Sequence, residues 1–175
     1  MKQYSLYNDE PVIRTFTGKY INVFDLKPEM ICMEDIAHAL SHQCRFGGHL
    51  PRFYSVAQHS ILVSVIVPDE HKLAALLHDA SEAYLLDIPR PIKLKLSNYA
   101  EIENNLMTMI ADMFGFDWPL HESVKHADEV LLQKEWKEIM LRGQDEEFEC
   151  FSSTHAKQNF LNRFKNLTND KATVL

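Results

Sequence analysis

Apolar residues recur at intervals of three and four along most of the chain, the spacing that aligns side chains on one face of a helix. After Met33, for example, Ile36, Ala37 and Leu40 follow this spacing. Glycine, proline and capping residues then mark the expected helix ends. We expect six helices, over Met33 to Gly47, Ser55 to Pro68, Glu70 to Tyr84, Asn98 to Gly115, Ser123 to Leu141 and Ser153 to Leu167.

A strand-like pattern is confined to the first thirty residues. Two short runs, Val12 to Phe16 and Tyr20 to Phe24, flank the turn-like sequence Thr17-Gly18-Lys19, which favours a small N-terminal hairpin. Six helices with almost no strand predict a mostly α fold whose core is formed by helix faces.

Nothing in the sequence divides the chain into parts. It has no low-complexity segment and only five glycines and seven prolines, so we expect one domain spanning residues 1–175. One break from helical geometry is expected in the segment Asp87-Ile88-Pro89-Arg90-Pro91. Each proline there lacks a backbone donor and biases the residue before it towards extended geometry.

Composition and charge narrow the classes of function. Hydrophobic residues make up 46% of the 175 residues, which is enough to build a core. The net charge of −7 opposes attraction to a nucleic-acid duplex. The longest mostly apolar stretch, Ile61 to Val67, is far shorter than the roughly 20 residues that a membrane span needs. The first ten residues lack the features of a secretory signal, so we expect a cytoplasmic protein.

The sequence lacks the GxGxxG, P-loop, HExxH and GxSxG motifs of common nucleotide-binding and hydrolytic sites. Its histidines and carboxylates are therefore the candidate functional residues. His78-Asp79 directly follows the apolar run Leu73 to Leu77, where a buried aspartate needs a counter-charge or a metal. His59 lies on the preceding predicted helix and Asp128 on a later one. Two imidazoles and two carboxylates suit a divalent cation. Taken singly, His59 could be a core histidine and Asp128 an exposed helix charge.

The ordered set His59, His78-Asp79 and Asp128 resembles the HD-domain metal-dependent phosphohydrolase superfamily, and within it the 5′-deoxynucleotidase-like branch. The run from His78 to Glu82, with Asp87-Ile88-Pro89, Pro91 and Lys93, is similar to that branch's HDASE…DLPTPxK pattern. Val124 to Asp128 resembles its VKQAD segment. The match covers roughly residues 34–142 and leaves 1–30 as an N-terminal extension and 150–175 as a C-terminal helix and tail.

The resemblance implies a helical HD-domain fold and one divalent cation held by His59, His78, Asp79 and Asp128. Such a cation polarises a phosphoryl oxygen and lowers the pKa of a bound water. Its identity stays open among manganese, cobalt, iron, nickel, zinc and magnesium. By resemblance Glu82 is the catalytic acid and base. It follows His78 by four positions and Asp79 by three, so on a continuous helix it would share their face.

Substrate contacts are also implied by the resemblance. Arg45-Phe46 lies close to where the branch has an arginine followed by a tryptophan, so Arg45 would hold the phosphate and assist catalysis through a charge-assisted fork. Phe46 in place of tryptophan is a departure from the pattern. Arg52 is a rival for the phosphate role, and His49 could be a second contact.

Asp87 and Lys93 flank the two-proline turn, which by resemblance borders the substrate pocket. Asp87 could accept a hydrogen bond from a sugar hydroxyl, or could simply cap the turn.

The function implied is hydrolysis of a phosphate ester of a small nucleotide, most of all a 5′-deoxynucleoside monophosphate. Two alternatives stay open, namely release of triphosphate from a deoxynucleoside triphosphate, and a metal-stabilised nucleotide-binding module without turnover. The expected partners are a small nucleotide and further copies of the chain, with a dimer favoured, and neither duplex nucleic acid nor a membrane.

Overall fold

A computed structural model describes residues 11–141 and 148–172 of the chain. These residues form a mostly helical fold with a small antiparallel hairpin near the N-terminus, which confirms the predicted fold class. Residues 1–10 of the predicted extension, residue 142 of the predicted core and residues 173–175 of the tail lie outside the described residues.

The helices are α1 Met33–His42, α2 Val56–Ile66, α3 Lys72–Leu76, α4 Glu82–Leu85, α5 Arg90–Lys93, α6 Tyr99–Phe114, α7 Glu122–Glu135 and α8 Ser153–Ala172. Single 3₁₀ turns occur at Pro28–Met30, Arg45–Gly48 and Asp69–His71, and α7 continues as a π-helical stretch over Trp136–Leu141. No helix within the described ranges is long and apolar enough to cross a lipid bilayer.

The hairpin is present but shorter than predicted. Strand β1 (Ile13–Arg14) pairs antiparallel with β2 (Tyr20–Ile21), with Ile13 opposite Ile21. Thr17 in the turn donates its backbone N–H and its hydroxyl to the Asp35 carboxylate at 2.7 and 2.8 Å. These bonds fix the hairpin to the first turn of α1.

The main core lies where α1, α2, α3 and α8 pack together, and α6 contributes Leu106 and Ile110 to it. Its fully buried side chains include Ile36, Leu40, Val56, Leu76, Leu77, Leu106, Ile110 and Phe160. A second apolar cluster joins α2 and α3 to α7, through Val63, Ala75, Val124, Ala127 and Leu131. This second contact matters for the site, because it brings α7 alongside α2.

The predicted helix from Met33 to Gly47 is too long, since α1 ends at His42. Gln43 and Cys44 are extended, and Cys44 forms an isolated bridge with Ser55. Phe46 and Gly47 then turn the chain through left-handed geometry, with φ of 57° and 61°. The Arg45 N–H donates to the Tyr54 carbonyl at 2.9 Å, which places Arg45 beside the start of α2 instead of on a helix face.

The prediction of one continuous helix from Glu70 to Tyr84 is also wrong, because the structure has two shorter helices in this segment. Helix α3 ends at Leu76 and α4 begins at Glu82, and the residues between them form successive turns. Their backbone bonds are of the i to i+3 kind, from Ala80 to Leu77 and from Glu82 to Asp79, both at 3.0 Å. Glu82 therefore shares no continuous helix with His78 and Asp79, and the helical-face argument for it does not hold.

Candidate metal centre

Three elements bring the predicted metal ligands together. His59 comes from α2, His78 and Asp79 from the turns after α3, and Asp128 from α7. One ligand atom each from His59, His78 and Asp128 lie within 4.8 Å of one another. Asp79 lines the same centre, since its Oδ2 is 3.2 Å from His78 Nε2 and 3.9 Å from His59 Nε2. The structure thus shows a possible metal-binding group at the predicted position.

His59 is fully buried in the second turn of α2. Ser55 caps this helix by accepting a hydrogen bond from the Gln58 N–H at 3.1 Å, which fixes where α2 begins. The His59 Nδ1–H donates to Glu135 Oε1 at 2.7 Å. The other ring nitrogen, Nε2, then faces Asp128 Oδ1 at 3.0 Å.

His78 is held in a similar way. Its Nδ1–H donates to the Ala75 carbonyl at 2.8 Å, so that Nε2 points at the carboxylates of Asp79 and Asp128. Burial opposes the charged imidazolium, but Asp79, next to it, raises the pKa of His78 to about 9. Burial likewise opposes the Asp79 carboxylate, yet His78, His59 and Arg45 hold its pKa well below the usual range.

This donor set fits a divalent cation. His59 and His78 donate Nδ1–H to Glu135 and to the Ala75 carbonyl, respectively. When either ring is neutral, its Nε2 therefore carries a lone pair that faces carboxylate oxygens. Lone pairs at 3.0 to 3.2 Å repel unless a proton or a cation lies between them. Imidazole nitrogen with carboxylate oxygen is a ligand set for borderline and hard divalent ions, and the bond from Nδ1–H to a carboxylate or carbonyl is the usual second contact of a ligating histidine.

Glu82 is buried at the edge of this centre. Its Oε1 lies 3.5 Å from Lys93 Nζ, and its Oε2 has no hydrogen-bond partner among the residues that the structure describes. Burial, together with the carboxylates of Asp79 and Asp87, raises its pKa well above the ordinary value. The structure therefore brings Glu82 to the centre although the predicted helix does not form.

Gln43 links Glu82 to Asp87. Its side-chain amide donates to the Glu82 carbonyl at 2.8 Å and accepts from the Asp87 N–H at 3.0 Å. Asp87 Oδ2 is buried and makes no hydrogen bond within the described ranges, and burial raises the pKa of this carboxyl. Lys93 is engaged by Glu103 at 2.8 Å as well as by Glu82. Lys93 is thus a counter-charge to Glu82.

Arg45 is nearly fully buried, with its Nη2 at 3.3 Å from Glu135 Oε2 and its Nη1 at 3.6 Å from Asp79 Oδ2. Burial alone would lower its pKa, but Glu135 and Asp79 raise it far above the usual value. Arg45 is therefore a permanent cation beside the metal-binding group.

A cleft of about 1090 Å³ opens above these residues. The charged side chains that line it include Arg45, Asp79, Glu82, Asp87, Lys93 and Asp128. Its apolar lining includes Phe46, Ile88, Leu132, Trp136 and Met140, with the Phe46 and Trp136 rings 6.0 Å apart and the Arg45 guanidinium 5.7 Å from the centre of the Phe46 ring. His49 also lines the cleft, whereas Arg52 is not among the described lining residues. The structure thus brings Arg45, Phe46, His49, Asp87 and Lys93 to one cleft and leaves Arg52 outside it.

Sequence reasoning missed Glu135, Tyr54 and Trp136. Glu135 is fully buried and accepts from His59, Arg45 and the Tyr54 hydroxyl, the last at 2.6 Å. Burial would raise its pKa, but His59 and Arg45 lower it. One signal was available, because Glu135 follows Asp128 by seven positions, or two helical turns, and so lies on the same face of α7.

Comparison with known proteins identifies relatives. No protein-family model matches the chain. It is 42% identical over 129 residues to "Uncharacterized protein YfdR" of Escherichia coli (strain K12), over 74% of this chain and 72% of that protein. It is 33% identical over 140 residues to an uncharacterized protein of Rhodobacter capsulatus, over 72% of this chain and 71% of that protein. Neither name states an activity.

Proposed function

The chain belongs to the same family as YfdR of Escherichia coli and its Rhodobacter capsulatus relative, and we propose that it is a metal-dependent phosphohydrolase of the HD-domain type. One observation carries this proposal. A possible metal-binding group of His59, His78 and Asp128, with Asp79 beside it, borders a cleft that is lined by Asp79 and Asp128 and also contains a buried arginine and a buried carboxyl group of raised pKa. A metal ion, a fixed positive charge and a general acid or base each contribute to the hydrolysis of phosphate esters.

A divalent cation held by His59, His78, Asp79 and Asp128 would polarise a phosphoryl oxygen and lower the pKa of a water. Arg45 provides the second positive charge. It lies 3.6 Å from Asp79, and its planar fork can donate to two phosphoryl oxygens at once. Arg45 thereby binds the phosphate and offsets the charge that develops on its oxygens.

In the proposed reaction, Glu82 is the residue that accepts and donates the proton. Because its pKa is raised, the carboxylate is a stronger base than an ordinary glutamate towards a proton of water, and the proton it accepts can be returned to a leaving alkoxide. Oε2, which has no partner within the described ranges, is the atom available for this exchange. Lys93, with Nζ 3.5 Å from Oε1, favours the ionised form and so partly opposes the effect of burial on the pKa of Glu82.

The shape of the cleft supports a small nucleotide as substrate. Its volume of about 1090 Å³ is more than sufficient for a mononucleotide, and Phe46 and Trp136 line it with aromatic side chains against which a base can pack. Local cations, not the overall charge of −7, would attract the phosphate. The resemblance to the 5′-deoxynucleotidase-like branch favours a 5′-deoxynucleoside monophosphate.

The test is a panel of nucleoside and deoxynucleoside mono-, di- and triphosphates, each with manganese, cobalt, nickel, zinc or magnesium, read by product identity. We expect inorganic phosphate and deoxynucleoside from monophosphates. Release of triphosphate would instead support a triphosphohydrolase. Tight nucleotide binding without any product would support a binding module and contradict the proposal.

Glu82→Gln sharpens the same test. The variant should keep its bound metal but lose about 10²- to 10⁴-fold in turnover, which is the usual contribution of a general acid or base. Glu101→Gln is the matched control, since Glu101 is an exposed carboxylate on α6. Full activity in Glu82→Gln would remove Glu82 from the proton-transfer role.

The proposed homo-oligomer, with a dimer favoured, is a separate prediction. Light scattering on the purified protein measures its mass in solution, and a mass equal to one chain of 20.3 kDa would contradict it.

A further inference from the structure

Glu135 contacts both halves of the proposed site. Its Oε1 accepts from His59 Nδ1 at 2.7 Å, and its Oε2 accepts from Arg45 Nη2 at 3.3 Å. His59 belongs to the metal-binding group, and Arg45 is the cation proposed for the phosphate. A single carboxylate therefore joins the two.

Glu135 has no solvent-exposed surface. A buried carboxylate costs several kcal/mol of desolvation unless it is paired and hydrogen-bonded. Hydrophobic residues of similar volume would pack this end of α7 without that cost. Its position between His59 and Arg45 points instead to a role in arranging them.

We propose that Glu135 is a positioning residue that holds the metal ligand His59 and the phosphate-binding Arg45 in one fixed arrangement. The half that concerns Arg45 rests on the proposed function, and the half that concerns His59 does not.

The contact with His59 sets the tautomer of the ring. Because Nδ1 must carry hydrogen to donate to Glu135, the lone pair of the neutral ring stays on Nε2, which faces the other ligands. A carboxylate behind a ligating histidine also makes the ligating nitrogen more basic. Removing the charge of Glu135 should therefore weaken metal binding by about 10- to 100-fold.

The contact with Glu135 occupies one of the three nitrogens of the Arg45 guanidinium. Nη2 is bound to Glu135, whereas Arg45 Nε is buried and makes no hydrogen bond to any residue that the structure describes. Nη1 lies 3.6 Å from Asp79 Oδ2, and both residues line the cleft. Glu135 thus fixes the rotation of the fork and leaves donors available for a phosphate oxygen.

Tyr54 contacts the same carboxylate oxygen of Glu135 as His59 does. Its ring is fully buried beside Ile139 and Phe148, and its hydroxyl donates to Glu135 Oε1 at 2.6 Å. Tyr54→Phe removes this one bond and keeps the packing of the ring. It therefore provides a milder perturbation of the same carboxylate.

The experiment compares Glu135→Gln and Tyr54→Phe with the wild-type protein after removal of metal. Manganese affinity is measured by electron paramagnetic resonance, and inorganic phosphate affinity of the manganese-loaded protein by calorimetry. Glu135→Gln should weaken manganese binding about 10- to 100-fold and phosphate binding about tenfold. Tyr54→Phe should weaken both about threefold. Glu138→Gln is the control, because Glu138 lies one turn further on and pairs only weakly with Lys134, at 4.0 Å.

Both affinities are measured well below the unfolding temperature, where a loss of stability alone does not change the affinity of the folded protein. Unchanged affinities in folded Glu135→Gln would overturn the proposal, and a loss of manganese affinity alone would overturn its Arg45 half. If Glu135→Gln does not fold, Tyr54→Phe decides by the same criteria. A wild-type protein that binds both ions but hydrolyses no nucleotide would contradict the proposed function and leave the positioning role intact.

Discussion

Metal affinity should depend steeply on pH, because His78 must lose a proton before it can ligate a cation. Asp79 and burial together set the pKa of His78 at about 9, so the ring is protonated at neutral pH when no metal is bound. The pKa values of Asp79 and Asp128 are lowered, so these carboxylates are already ionised and release no proton. Below pH 9 each unit should therefore cost about tenfold in apparent affinity, or about 100-fold between pH 8 and pH 6.

Calorimetric titration with manganese measures this effect. Titrations at pH 6, 7 and 8 give the affinity, and buffers that differ in ionisation enthalpy give the protons released, which we expect to be about one per manganese at pH 7. His126→Gln is the matched control, since His126 is exposed and only two residues from Asp128. His78→Gln should bind manganese more weakly and lose the steep pH dependence. An affinity that is constant from pH 8 to pH 6 in the wild-type protein would refute the reasoning.

Two further substitutions test separate parts of the site. Asp79→Asn removes a carboxylate that lies 3.2 Å from His78 Nε2, so it should lose bound metal and phosphohydrolase activity together, which metal analysis and phosphate release measure; full metal content would exclude Asp79 as a ligand. Arg45→Ala should raise KM for a phosphate ester by at least tenfold, whereas Arg52→Ala should leave it unchanged because Arg52 is not among the described lining residues of the cleft. The opposite result in steady-state kinetics would assign the phosphate to Arg52.

Much of the fold could be predicted from the apolar pattern, but the pattern did not show where α3 breaks. Leu73, Leu76, Leu77 and Ala80 are all buried, as a continuous helix would require. Successive i to i+3 turns also return the chain to the same side about every three residues, so the spacing of buried residues does not distinguish them from a helix. The break allows the adjacent side chains of His78 and Asp79 to approach one centre, whereas neighbours on a regular helix point about 100° apart.

The four candidate ligands could be predicted because histidine and aspartate next to apolar runs are conspicuous in sequence. Glu135 could not be singled out in the same way, since it lies in the polar run Gln133-Lys134-Glu135 and resembles a solvated helix charge. Its burial results from the packing of α7 against α2 and from Tyr54, which is 81 positions away along the chain. Contacts of that range depend on the tertiary fold. The seven-residue spacing from Asp128 places Glu135 on the same face of α7 but does not show that it is buried there.

Three buried polar atoms on residues that line the cleft favour a binding role for it over a purely structural one. Arg45 Nε, Glu82 Oε2 and Asp87 Oδ2 are buried without hydrogen-bond partners in the described part of the chain, and all three residues line the cleft. A natural fold satisfies nearly all such atoms, since each one costs about 1 to 3 kcal/mol. A donor and two carboxyl oxygens beside a cation site are complementary to a ligand that has both acceptor oxygens and hydroxyl groups. A nucleotide has both, and its binding would offset the free energy that these residues cost the folded chain.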